Sequence, residues 1–117
     1  MKKVDDPYVQ HILGAIAKLN SFFLGCTYDS FLLDQKLQDA AVLELEIIGE
    51  AAKRISVETK KKYPDVPWKD IMGMRDKLVH DYFDVNYLTV WETVQNNLTS
   101  LREHMERILQ DLQKIGS

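Results

Sequence analysis

Apolar residues recur at three- and four-residue spacing along most of the chain, which is the period of an amphipathic helix. Asp5 or Asp6 followed by Pro7 supplies a capping carboxylate and a proline for a first helical turn. Ile12, Leu13, Ile16, Leu19, Phe22 and Phe23 then mark one helical face, and Gly25 is placed to close that helix. Asp29 or Ser30 can cap the next. The proline-free stretch 31–55 carries a wide apolar face that includes Leu37, Ala41, Leu45, Ile48, Ala52 and Ile55. A kink near Asp34 and two separate helices both fit this stretch. Gly49 interrupts the face at a cost of about 1 kcal/mol relative to alanine, and close approach of another backbone would compensate.

Ser56 can cap a short helix through Lys62, and Pro64 and Pro67 mark a loop. Pro67 can open a further helix with Trp68, Ile71, Met72, Met74, Leu78 and Val79 as its apolar positions. Tyr82, Phe83 and Asp84 then suit a helix end near His80. Asp84 or Asn86 starts the last helix, whose apolar residues run from Leu88 to Leu112 and which Gly116 ends. Trp68 and Trp91 read as core anchors. No strand, repeat or low-complexity segment emerges. The expected architecture is all-α, an antiparallel bundle of four or five helices forming a single domain over residues 1–117.

Composition narrows the function. The chain has 117 residues, 45% of them apolar, enough for one modest core. Cys26 is the sole cysteine, so neither an internal disulfide nor a Cys/His zinc cluster is expected. Lys2 and Lys3 precede Asp5, Asp6 and Pro7 rather than an apolar run, which excludes a signal peptide pattern. No apolar run reaches the roughly 20 residues that a membrane-spanning helix needs. These features predict a cytoplasmic protein with no membrane association, no metal and no cofactor. The net charge is −3, yet 53–77 holds eight basic residues against four acidic ones, a local +4 against −7 elsewhere. Such a segment can attract phosphate on an acidic protein, and it can equally be a solvated helix end.

Among the three histidines, His11 and His104 lie in ordinary amphipathic stretches and read as surface or core-edge residues. His80 has Arg75 five residues before it and Tyr82 two after it. Arg75 and Tyr82 would share a face of a persistent helix, whereas His80 would point about 140° from Arg75. The three converge only if the helix unwinds near His80 or a second subunit completes the site. Spacing alone favours an ordinary helix end with a histidine near its dipole.

Several blocks in order change that balance. The stretch 47–56 (Ile-Ile-Gly-Glu-Ala-Ala-Lys-Arg-Ile-Ser), the stretch 63–75 from Tyr63-Pro64 to Met74-Arg75, the R-x4-H-x-Y pattern of Arg75, His80 and Tyr82, and Val90-Trp91-Glu92-Thr93-Val94 together resemble the HepT-like family of the HEPN superfamily. The residue after the arginine is often asparagine in that family and is Asp76 here. The resemblance implies a small helical homodimer that cleaves RNA, with Arg75 and His80 of both subunits facing one another and Asp76 in support. It also implies the toxin half of a type VII toxin–antitoxin pair. The partner would be a minimal nucleotidyltransferase antitoxin that silences the toxin by AMPylation of Tyr82. A non-catalytic subunit that docks a nucleotidyltransferase is the alternative.

The residue types suit the chemistry. Metal-independent RNA cleavage needs a base for the 2′-hydroxyl and an acid for the leaving 5′-oxygen, and histidine does either near neutral pH. The charge developing on phosphorus needs a fixed cation, and arginine stays charged with a forked donor set matched to phosphate. One chain supplies one such pair, and a two-fold dimer supplies two.

Overall fold

The computed structural model describes residues 3–81 and 84–115, without the side chains of Lys3, His80, Asp81 and Ile115. A single 3-10 turn, Lys3–Asp5, leads into α1 (Asp6–Phe22). Then follow α2 (Tyr28–Leu32), α3 (Gln35–Arg54), α4 (Val57–Lys62), α5 (Trp68–Met72) and α6 (Met74–Leu78). A short antiparallel ladder pairs β1 (Val79–Asp81) with β2 (Asp84–Val85), and α7 (Tyr87–Asn96) and α8 (Leu98–Ile115) complete the described chain. The fold is an all-α bundle.

Its frame is α1 packed against α3 and α8. Val9, Ile12, Ile16 and Leu19 of α1 meet Ala41, Leu45, Ile48 and Ala52 of α3 and Met105, Ile108 and Leu112 of α8 in one buried core. Removing this apolar surface from water, at roughly 25 cal/mol per Å2, is the main favourable term for so helical a chain. Among the described residues no helix is long and apolar enough to cross a membrane.

The eight helices found among the described residues exceed the four or five expected, because the long expected helices are broken at identifiable residues. The stretch 31–55 is two helices: Leu33 ends α2, and Asp34 caps α3 by accepting from the Leu37 N–H at 3.1 Å. The cap of α2 is Thr27 rather than Asp29 or Ser30; its hydroxyl accepts from the Ser30 N–H at 3.1 Å while the Ser30 hydroxyl accepts from the Thr27 N–H at 3.0 Å. The expected last helix is interrupted at Asn97, next to Asn96, where two poor helix formers stand together. Asn86, not Asp84, caps α7, accepting from the Thr89 N–H at 3.0 Å. Gly116, the expected end of α8, lies outside the described residues.

Two expectations about glycine hold. Gly25 has φ 73°, the left-handed conformation that lets the chain turn after α1. A Cβ on Gly49 would come within 3.1 Å of the Ile71 carbonyl oxygen, so α5 crosses α3 closely at that point. Asp5 does not cap α1 with its side chain. Its buried carboxylate instead accepts from the Ser56 N–H at 2.9 Å, the Ser56 hydroxyl at 2.7 Å and the Thr59 hydroxyl at 2.5 Å. Ser56 meanwhile caps α4 as expected, accepting from the Thr59 N–H at 3.2 Å.

Candidate active site

The segment expected to carry chemistry is built from the shortest elements of the bundle. Pro67 starts α5, and Trp68 pins it by donating its indole N–H to the Tyr63 carbonyl at 3.0 Å. Trp91, the other expected anchor, stacks obliquely on Phe23, Tyr28 and Phe31. Gly73 joins α5 to α6, so the single helix expected from Pro67 onward is two five-residue helices. Gly73's own surroundings are the Lys69 carbonyl oxygen, 3.3 Å from where a Cβ would sit. Buried Met74 and Leu78 fix α6 to the core.

The helix then unwinds. Val79, expected as a helical position, adopts φ −125° and ψ 110° and opens β1, which contains His80. The Val79↔Val85 pairing and the Asn86 N–H to Leu78 carbonyl bond at 2.8 Å close the ladder. No strand was expected here; β1 and β2 are too short to leave a two-residue period, and the β-branched Val79 and Val85 supply their pairing. Arg75 therefore stays on α6 while the backbone of His80 runs extended; this unwinding is one of the two conditions named above for their convergence, and the His80 side chain lies outside what is described. Tyr82 lies outside the described residues.

Arg75 is half-exposed, and its Nε lies 3.4 Å from Glu46 Oε1 on α3. That contact is made by the inner nitrogen of the guanidinium. Asp76 is exposed on α6, and among the described residues Arg75 is met by Glu46 and not by Asp76. Glu46 is the residue that sequence reasoning missed. Gly49, one helical turn further along α3, was the available signal, because the close crossing it allows brings α5 and α6 over this face.

Part of the basic segment is gathered nearby. Lys60 reaches from α4 to the Lys53 carbonyl at 3.4 Å and to Met72 Sδ at 3.3 Å, at the end of α5. Burial pulls the Lys60 ammonium below its ordinary pKa, and the Asp5 carboxylate offsets part of that. Lys53 itself pairs with Glu50 at 3.0 Å. His11 is exposed, edge-on to Tyr8 at 6.2 Å between ring centres. His104 is half-buried, 3.7 Å from Asp65. Arg107 donates to both oxygens of Asp65 at 3.0 and 3.1 Å, and this holds the Asp65 carboxyl below its usual range. Among the described residues no group of three His, Cys, Asp or Glu side chains is placed to hold a metal ion.

The described residues form an all-α bundle in which Arg75 lies on a short helix and the backbone of His80 on the extended segment after it. The ribonuclease HepT-like family model matches residues 12–108. A protein of Caldanaerobacter subterraneus subsp. tengcongensis described as a candidate RNase is 44% identical over 92% of this chain and 96% of its own length. Another so described, from Methanocaldococcus jannaschii, is 37% identical over 92% of each chain. The Thermococcus cleftensis protein named as a probable ribonuclease HepT is 38% identical over 92% of this chain and 98% of its own. No solved structure matches. The chain belongs to the ribonuclease HepT-like family, and ribonuclease activity follows from that resemblance.

Proposed function

We propose that this chain is the toxin of a two-component system: a homodimeric, metal-independent endoribonuclease whose site pairs Arg75 and His80 of both subunits and is silenced by AMPylation of Tyr82. The observation that carries the reading is the end of α6 at Leu78, which keeps Arg75 helical and puts the His80 backbone in an extended segment. In the proposed reaction, His80 of one subunit removes the proton of a ribose 2′-hydroxyl. The resulting oxyanion attacks the adjacent phosphorus, and His80 of the partner protonates the departing 5′-oxygen, leaving a 2′,3′-cyclic phosphate and a free 5′-hydroxyl. Arg75 offers its terminal nitrogens to the phosphoryl oxygens as negative charge builds on them. Glu46 fixes the guanidinium from behind. Asp76 acts in support, from its own subunit or across the dimer.

Tyr82 would attack the α-phosphorus of ATP with its phenolic oxygen, releasing pyrophosphate and giving its proton to a base of the nucleotidyltransferase. The attached phosphate and purine would then obstruct RNA at Arg75 and His80. Co-expression with a neighbouring nucleotidyltransferase tests this. AMP on the peptide containing Tyr82, absent from Tyr82→Phe, together with growth arrest relieved by the partner, is the expected result. AMP on that peptide in Tyr82→Phe refutes the modification site. Equal growth behaviour of wild type and His80→Ala would favour the non-catalytic, nucleotidyltransferase-binding alternative.

A further inference from the structure

A second concavity lies on the other flank of α6. It is a cavity of about 150 Å3 between α5–α6 and the α7–α8 junction. Its apolar lining includes Ile71, Met74, Leu98 and Leu101, all buried residues of the core. Its polar edge includes Asn96, Asn97, Ser100 and His104. Asp70 and Lys77 also face it, so its formal charges cancel and it is poorly matched to a bare phosphate.

Size and chemistry select a flat heterocycle. An apolar cavity of about 150 Å3 accommodates one benzene-sized ring. The floor offers apolar surface to the face of such a ring, and the carboxamides and the hydroxyl offer both donors and acceptors to its edge. Among the described residues Asn96 and Asn97 make no side-chain hydrogen bond, so this capacity is open. At the rim, His104 Nδ1 lies 3.7 Å from Asp65, which is itself held by the two bonds from Arg107. Met74 and Lys77 line the cavity from α6, whereas Arg75, between them in sequence, turns to Glu46 on α3. The two flanks are separated by the width of one helix, about 10–12 Å with side chains, which a flexible RNA strand crosses within a few nucleotides.

From this we infer that the cavity is a nucleobase subsite, sized for a pyrimidine, that receives an unstacked base of the RNA bound at Arg75. The inference rests on the ribonuclease reading, and its test separates the two. Titrating the isotope-labelled protein with the four nucleoside 3′-monophosphates and following backbone amides reads the cavity without any need for cleavage. Cytidine and uridine nucleotides should give saturable shifts at Asn97, Ser100 and Leu101, with affinity about ten-fold above that for the purine nucleotides. Asn97→Ala should weaken those shifts and Ser100→Trp, which fills the cavity from its rim, should remove them. Absent shifts, or shifts unchanged in Ser100→Trp while its melting curve stays cooperative, overturn the subsite. In parallel, wild type should cut RNA with a pyrimidine preference that Ser100→Trp loses. Cavity shifts with no cleavage count against the ribonuclease reading alone; cleavage with no cavity shifts counts against the subsite alone.

Discussion

The long helices α1, α3 and α8 and the short run α5–α6–β1 belong to the same core, yet they are stabilised differently. The frame is made of helices of 17, 20 and 18 residues, each presenting a continuous buried face. The motif run is made of two five-residue helices and a three-residue strand, and isolated helices that short do not persist in water. The run is held from outside, by Met74 and Leu78 in the core, by the close crossing at Gly49, and by the ladder after Leu78. Stability is concentrated in the frame, and the candidate chemistry sits on a segment whose shape is imposed by its neighbours.

The largest effect that could break this contrast comes from two leucines of equal burial. Leu45→Ala on α3 should cost about 2–5 kcal/mol of global stability and weaken hydrogen-exchange protection across the whole frame. Leu78→Ala should instead release protection first in α6 and β1 and abolish RNA cleavage before the protein melts. Identical, fully global losses from both would mean that the motif run is part of the frame. Next in size, Asp5→Ala should cost about 2–3 kcal/mol, because it strands the Ser56 and Thr59 donors, while cleavage at a temperature where the variant is folded stays unchanged. A cleavage defect there would join the N-terminal clamp to the site.

Glu46→Gln sharpens the contrast from the other side. The Arg75–Glu46 pair is half-exposed, so its loss should change stability by less than about 1 kcal/mol in a denaturant titration. The freed guanidinium should nevertheless lower RNA cleavage roughly ten- to hundred-fold. A stability loss without a cleavage defect would reduce Glu46 to a structural residue. The smallest effect is a pH dependence at Asp65. Its folded pKa lies below the ordinary 3.8, chiefly because Arg107 hydrogen-bonds the carboxylate. Its contribution is therefore fully present above pH 3.8 and is lost as the pH falls through the lower folded value. The difference in Tm between wild type and Asp65→Asn should shrink toward zero on acidification through that window; a difference that grows would reverse the assignment.

Much of the frame was legible in the chain because helical periodicity survives over long stretches. The caps Ser56 and Asn86, the break near Asp34 and the closing Gly25 were readable for the same reason: each is a local signal acting within a few residues. The misread elements are those decided at a distance. The Asp5 carboxylate looked like a helix cap and is used 51 residues away by Ser56. The break at Asn97 and the ladder at Val79 depend on what the bundle requires of short segments with little period of their own. At the candidate site, family-like blocks singled out Arg75 and His80, whereas Glu46 was signalled only indirectly, through Gly49 on the same helix. Its partnership with Arg75 exists only because α5 and α6 cross α3 at Gly49.

Arg75 and His80 on this externally held segment are proposed to cleave RNA without a metal. The most direct measurement is the cleavage of RNA by purified wild type and His80→Ala, side by side in EDTA. Wild type should yield fragments ending in 2′,3′-cyclic phosphate and 5′-hydroxyl, and His80→Ala should be slower by about a hundred-fold or more. Equal cleavage by the two proteins, or wild-type cleavage that disappears in EDTA, would contradict the account.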